Sequence, residues 1–398
     1  MAVTATPIKI LLVHNAYRQR GGEDSVVDAE LSLLRSRGHE VETYFRHNDE
    51  IVSISPIAAA RQTVWSSGTT HDVAELIFRF RPDIIHVHNT FPLISPSLYW
   101  AAARAQIPVV QTLHNFRLMC LNGLFLRDEQ VCEDCINGLP WRGVVRKCYR
   151  GSRSASAVLV SMLTVHRTMG TYRDKVARYI ALSDFARRKF IAGGLPAERI
   201  VVKPNFAESP APTAMIREGL LFVGRLSVEK GVAILGQAAA LSPQTHIRII
   251  GEGPAAESIN GVSGVTWLGS RPSEAVQREM NAAVALIVPS ICYENFPRTI
   301  VEAFACALPV IASRLGALAE LVRDGETGLL FEPGNSRDLA EKMAWALAHP
   351  ERMAAMGRAA RTQYEAEFSA DENYRQLLDI YKSALQAPLF PEVTKAAQ

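Results

Sequence analysis

The sequence predicts an α/β protein made of two doubly wound domains facing each other across a cleft. Three observations carry this. Short apolar runs alternate with helical patterns along nearly the whole chain, the rhythm of a parallel sheet covered by helices. At 398 residues the chain exceeds what one core ordinarily serves, so two domains of roughly 150 to 200 residues are expected. The rhythm pauses at Pro204-Asn205-Phe206 and Ser209-Pro210-Ala211-Pro212, which read as a linker, and then resumes.

The first domain is expected over residues 1–206. Ile8 to Val13 is a near-continuous apolar run, as a strand buried on both faces requires, and is too short for a signal peptide. A loop with Gly21-Gly22 follows, then a helix from about Asp24 to Arg37, closed by Gly38. Val41–Phe45, Asp83–Asn89 and Pro108–Asn115 are the next strands, and Ala177–Leu182 and Arg199–Lys203 the last. In such sheets ligands sit at the C-terminal edge of the strands, where Gly21-Gly22, His88-Asn89 and His114-Asn115 all fall. Two adjacent glycines or one histidine carry little weight alone.

The second domain, 213–370, opens with a strand ending at Gly224, a loop carrying Arg225 and Lys230, and a helix from about Gly231. An arginine fork and a lysine point charge beside a helix N-terminus can neutralise a diphosphate. Ile249-Ile250-Gly251-Glu252-Gly253-Pro254 is a strand end and glycine turn, and Val265–Gly269, Ala285–Ser290, Pro309–Ser313 and Gly328–Phe331 supply further strands. The strand at Ala285 leads into Glu294, and Pro297 disfavours helical geometry at Phe296, so a helix should begin near Arg298 or Thr299, with Glu302 one turn in. Two carboxylates, Glu294 and Glu302, then share a crevice with free backbone amides, an arrangement for a ligand with hydroxyls at both ends and phosphate between. Helices fill 336–367, and a last one runs from about Asp371 to Leu385.

Glu294-Asn295-Phe296-Pro297-Arg298-Thr299-Ile300-Val301-Glu302 resembles the E-x7-E motif of the retaining glycosyltransferases of family 4, enzymes of the GT-B fold, with Asn295 and Pro297 in place of its two glycines. Gly224-Arg225 to Lys230-Gly231 matches the G-R-x-x-x-x-K-G pattern of the same family intact, and Thr112-Leu113-His114-Asn115 is similar to its cleft histidine segment, with Asn115 where an aspartate is frequent. The resemblance covers nearly the whole chain. It implies that Glu302 holds the ribose and Glu294 the donor sugar, that Arg225 and Lys230 hold the diphosphate, and that His114 and the Gly21-Gly22 loop face the donor. Gly224 and Asn295 to Thr299 complete the implied donor site. It also implies that residues 371–398 cross back onto the first domain.

Two stretches stand outside this plan. Cys120, Cys132, Cys135 and Cys148 crowd into an insert at 116–150 around a C-x-x-C, and for a cytoplasmic chain such crowding favours a structural zinc site over disulfides, with reduced, partly buried thiols as the alternative. From Trp141 to Phe190 twelve Lys and Arg face two acids, +10 in a chain of net charge +3, with apolar residues interleaved. Such a stretch suits anionic lipid headgroups or, equally, solvated helix faces. The overall charge gives no ground for a nucleic-acid partner. No apolar run reaches the roughly 18 residues of a membrane span, and cytoplasmic residence with at most peripheral membrane contact is expected.

The expected reaction moves a sugar from a nucleoside diphosphate, UDP or GDP, to a hydroxyl of a glycan or lipid-linked saccharide. No Asp-x-Asp occurs in the chain, so no metal cofactor is expected for the chemistry. A nucleotide-sugar epimerase of the same fold, which needs no acceptor, and a non-catalytic zinc-stapled binding protein are the alternatives. The two intact motif pairs favour the transferase.

Overall fold

The computed structural model describes residues 7–208 and 216–387; Ser209-Pro210-Ala211-Pro212 of the expected linker lies outside them. The two domains are Rossmann-like, each on a six-stranded parallel sheet, as the sequence predicts. The first holds β1 (Lys9–Ala16), β2 (Glu40–His47), β3 (Ile84–Asn89), β4 (Val109–Thr112), a small hairpin β5 (Leu126–Arg127) and β6 (Gln130–Val131), then β7 (Arg178–Ala181) and β8 (Ile200–Val202). Its sheet order is β2-β1-β3-β4-β7-β8. The second holds β9 (Leu220–Val223), β10 (Ile247–Ile250), β11 (Val265–Gly269), β12 (Ala285–Val288), β13 (Val310–Ser313) and β14 (Gly328–Phe331), in the order β11-β10-β9-β12-β13-β14.

Both orders reverse direction once. In the second sheet the reversal lies between β9 and β12, in the first between β1 and β3, and a ligand crevice opens at the strand ends on such a switch point. The segments singled out in the sequence sit there: the Arg225–Lys230 loop follows β9, the Glu294 loop follows β12, and His88-Asn89 ends β3.

Strand β1 shows why these runs read as continuous rather than alternating. Leu11 and Val13 enter one core with Ile85, Val87 and Leu98, while Ile10 and Leu12 enter the opposite core with Ile84, Val110 and Ile180. Both faces are covered, so Ile10 to Val13 are all apolar. The second face is closed by the Ala370–Leu385 helix, whose Leu377, Leu378, Tyr381 and Ala384 pack on it.

Three local expectations are corrected. β1 runs on through His14 and Asn15, because Asn15 is fully buried and its amide is paired with Asn48 Oδ1 at 2.9 Å. The first helix starts at Gly22 rather than Asp24: Asp24 turns back to accept from the Gly21 amide at 2.8 Å and so caps the first turn from inside it. The insert, to which the sequence assigned no regular element, forms the β5–β6 hairpin, turned by Asp128 and Glu129 at positive φ.

Candidate active site

Lys230 ends a single turn after β9, and the chain enters the Val232–Leu241 helix through Gly231. Gly231 has φ +69°, and a Cβ there would lie 1.8 Å from the Pro289 carbonyl oxygen, so only glycine lets this loop lie against the β12 loop. The Ile291 amide donates to the Glu229 carbonyl at 3.0 Å and ties the two loops together.

This contact brings Lys230 to Glu294, Nζ to Oε1 at 2.6 Å, and Glu294 also accepts from Ser290 Oγ at 2.7 Å. Burial alone would lower the Lys230 pKa, but the Glu294 charge and hydrogen bond raise it, so the ammonium is firmly charged. Arg225 pairs with Glu229 at 2.5 Å, Ser227 Oγ adds a bond to the same carboxylate at 2.7 Å, and the arginine side chain is otherwise mostly exposed. The site thus holds two cations, each neutralised by a neighbouring acid.

The Arg298–Ala305 helix begins where the proline predicts and has no side-chain cap at its N-terminus. Pro297 is its N-cap, Arg298 and Thr299 are half-buried in its first turn, and Glu302 forms an ion pair with Arg298, Oε1 to Nε at 3.0 Å. Burial raises the Glu302 pKa, with Arg298 opposing. Glu302 and Arg298 line a recess with Ser273, Gln277 and Glu208, to which Lys230 and Glu294 do not contribute. Phe296 packs in both domains, edge-on to Phe368 at 6.1 Å.

Asn295, which stands where the motif has glycine, reaches across the cleft: its Nδ2 donates to the Leu113 carbonyl at 2.5 Å, and its carbonyl accepts from Ser183 Oγ at 3.4 Å. The Glu294 loop is thereby held against the residue preceding His114. Tyr293 stacks edge-on to Phe185 at 4.7 Å beside this contact, and Glu320 accepts from the Phe185 amide at 2.7 Å. Gly224 follows β9, and a Cβ added there would meet the Phe222 ring at 3.5 Å, an ordinary contact. A Cβ would meet Asp24 Oδ2 at 3.9 Å from Gly21 and open space from Gly22, and neither glycine needs a left-handed backbone.

His114 is half-buried at the end of β4 and bonds through Nε2 to His88 Nδ1 at 2.9 Å. Behind His88 lie His86, Glu30 and Lys203, all fully buried, which sequence reasoning passed over. The clue available was the polar alternation His86-Val87-His88 within an otherwise apolar strand. Burial and the neighbouring imidazoles push His88 down to about 4 and His114 well below the ordinary histidine range, so both are neutral at pH 7.

The four insert cysteines are free thiols, all partly buried. Burial raises Cys135 to about 11, with Cys120, Cys148 and Cys132 adding to it, so the four lie within electrostatic reach of one another. Among the described residues the one set of three or more ligand atoms within 4.8 Å of each other is Glu30, His86 and His88; the cysteines do not form such a set. The basic stretch is largely spent internally. Arg167 donates to the Gly138 and Leu118 carbonyls, Arg187 to the Ile200 carbonyl, Lys189 to Glu133, and Arg146 and Arg188 pair with Asp134 and Glu320. Arg142, Lys147, Arg150 and Arg153 remain exposed, beside Trp141 and Val145, each 59% exposed. No helix among the described residues is long and apolar enough to cross a membrane.

Comparison with known proteins agrees with this geometry. Residues 21–205 match the glycosyl transferase 4-like domain model and residues 214–363 the glycosyl transferases group 1 model. A D-inositol 3-phosphate glycosyltransferase of Mycolicibacterium gilvum is 27% identical over 95% of this chain and 89% of its own length. A glycosyltransferase of Methanocaldococcus jannaschii is 33% identical, over 41% of this chain and 47% of its own. Among solved structures, sucrose-phosphate synthase of Thermosynechococcus elongatus aligns with a TM-score of 0.69 at 18% identity, over 94% of this chain and 98% of that one. Anabaena HepE in complex with UDP aligns with a TM-score of 0.65 at 20% identity, over 94% of this chain and all of that one. The chain is a glycosyltransferase of the GT-B fold, a 4-like domain followed by a group 1 domain.

Proposed function

We propose that the chain is a retaining transferase that carries a sugar from UDP or GDP to a hydroxyl of a glycan or lipid-linked saccharide of a surface polysaccharide. The observation that supports this most is the Lys230–Glu294 contact at the sheet's switch point, with the ribose candidate Glu302 on the helix that follows. The HepE neighbour, solved with UDP and with UDP-glucose, supports a uridine donor. In this reading the donor's diphosphate draws Lys230 and Arg225 from their acids. Glu294, released from Lys230, accepts a donor-sugar hydroxyl. As the bond from the sugar's anomeric carbon to the diphosphate oxygen breaks, charge builds on that oxygen, where fixed cations lower the barrier most. The acceptor oxygen attacks the same face, its proton passing to the diphosphate, so no dedicated base is required.

Calorimetric titration with UDP, GDP and ADP at matched concentrations tests this. Micromolar binding of one of them, abolished by Lys230→Ala, supports the donor class; binding of none overturns it.

Two further parts of the reading rest on separate observations. The exposed Trp141, Val145, Arg142, Lys147, Arg150 and Arg153 form the surface assigned to anionic lipid. The cysteine insert is assigned one structural zinc, supported by the mutual electrostatic influence of its four thiols. Catalysis itself is assigned no metal.

A further inference from the structure

Glu30 lies on the inner face of the first helix, 1% exposed. Its Oε1 is 2.9 Å from His86 Nδ1 and 3.3 Å from His88 Nε2, and its Oε2 is 3.4 Å from Lys203 Nζ. Lys203 is equally buried and donates to Asn373 Oδ1 at 3.0 Å, on the helix that crosses back from the second domain. His86 Nδ1 also lies 2.7 Å from Tyr381 Oη on that helix, and His86 Nε2 lies 2.9 Å from Thr112 Oγ1. His88 passes the chain outward to His114, the two rings stacked with centroids 5.2 Å apart and 18° between planes. His14 stands edge-on to His88 at 6.4 Å, its own Nε2 held by Asp24 at 2.8 Å.

A buried ion pair is weak evidence for stability, since an apolar pair of similar volume serves as well or better. The three ligand atoms around Glu30 have a spacing a metal ion can use. The Lys203 ammonium already balances the carboxylate, however, and a divalent ion would leave a net +2 in a dry interior, at a cost of several kcal/mol per unpaired ion. What remains is an oriented chain of hydrogen-bonding groups. An ionised carboxylate only accepts. Glu30 Oε1 and His88 Nε2 face each other at 3.3 Å, and neither buried atom has a hydrogen-bond partner of good geometry, so the carboxylate charge calls for the proton of His88 on Nε2. His88 Nδ1 is then an acceptor, and the hydrogen bond at 2.9 Å requires His114 to carry its proton on Nε2.

We infer that Glu30 is a positioning residue that, through His88, fixes His114 in its Nε2–H tautomer, so that His114 presents Nδ1 to the donor sugar as a hydrogen-bond acceptor for a hydroxyl. The part concerning the sugar rests on the donor site proposed above; the tautomer does not. The second bond of Lys203, to Asn373, makes the orientation depend on the crossing helix being seated.

The test is nitrogen-15 imidazole NMR on the full chain without substrate, which stands apart from any failure to find nucleotide binding. In the wild type, His114 is expected to show a protonated Nε2 and a bare Nδ1, with no titration near pH 6.5. A protonated Nδ1, or ordinary titration, overturns the inference without any variant. In Glu30→Leu/Lys203→Met, which removes acceptor and counter-charge together, the His114 signals should become those of a tautomer mixture. In Glu30→Gln/Lys203→Met, which restores an acceptor oxygen, they should move back toward the wild type. His114 signals unchanged in the folded Leu/Met variant overturn the inference, whatever the turnover. With an active donor in hand, the Leu/Met variant should lose about tenfold or more in kcat and the Gln/Met variant less, each with dissociation of the free diphosphate within about twofold, since general positioning of one group is commonly worth that much.

Discussion

Replacing Lys230 by methionine keeps the aliphatic stem and removes the charge. An ammonium about 3 Å from a phosphate oxygen at an effective dielectric constant near 20 gains about 5 kcal/mol by Coulomb's law, before desolvation is subtracted. Loss of one such donor to developing charge costs about 3–4 kcal/mol at the transition state, or roughly 10²–10³ in kcat/KM. A second effect follows from the free protein. Lys230 and Glu294 meet at 2.6 Å, with Glu294 13% and Lys230 31% exposed in their side chains. The variant leaves Glu294 bonded to the Ser290 hydroxyl, Oγ at 2.7 Å, without the ammonium beside it, which should cost about 1–2 kcal/mol of stability. That corresponds to a fall in Tm of roughly 2–8 °C for a domain of this size. A double variant, Lys230→Met with Glu294→Gln, separates the two effects: it should recover most of the Tm and none of the activity. Steady-state kinetics with the donor that binds, beside thermal unfolding, is the assay. A Lys230→Met protein that keeps kcat/KM within about threefold of the wild type refutes the assignment of this cation to the leaving diphosphate.

Four further outcomes follow from the same geometry. His88 sits at about 4 in the fold against about 6.5 unfolded, so the unfolded chain binds more protons between those values and stability must fall as pH falls through that window, by about 2 kcal/mol at pH 5 from this group alone; His114 adds in the same direction, and a Tm that is flat or rises on acidification from pH 7 to 5 contradicts it. Gly231→Ala places a methyl against the Pro289 carbonyl in a left-handed backbone and should cost more than about 2 kcal/mol in chemical denaturation, while Gly22→Ala, with open space and no such φ, should cost under about 1 kcal/mol. Brief EDTA treatment should leave turnover intact, whereas stripping zinc under denaturing conditions should release about one ion per chain and lower the Tm on refolding; a metal-free protein with an unchanged Tm counts against the bracing role. Flotation with anionic vesicles should recover the protein, and Trp141→Ser with Arg142→Ser and Arg150→Ser should abolish that; equal recovery with neutral vesicles rules out an electrostatic role.

How far the sequence announces this molecule depends on how local each signal is. The strands of both sheets are legible because they are buried on both faces: Leu11 and Leu12 point to opposite cores, and neither position tolerates polarity. The start of the Arg298–Ala305 helix is legible because Pro297 restricts its neighbour by sterics alone. Arg225, Lys230 and Glu294 are legible as cations and a carboxylate on loops after β9 and β12. Only the sheet order makes those loops neighbours, and no pattern within either segment states it.

The Glu30 chain marks the opposite limit. Glu30 falls on a helix as one acid among several, and Lys203 falls at a strand end as an ordinary surface cation. They are 173 positions apart, and their partner Asn373 is a further 170 away. Each residue taken singly belongs outside, since lysine and glutamate are almost never fully buried unless paired. The pairing is a property of the closed topology, in which the crossing helix delivers Asn373 and Tyr381 to the underside of β1 and β3. Asn295 shows the same limit across the cleft. In sequence it is a departure from a glycine motif, and in the fold it is the residue whose amide bonds the first domain at Leu113. A glycine there has no side chain to make that bond. The departure therefore joins the donor loop to the His114 segment, and the oriented imidazole and the Lys230–Glu294 pair come to lie on the two sides of one contact.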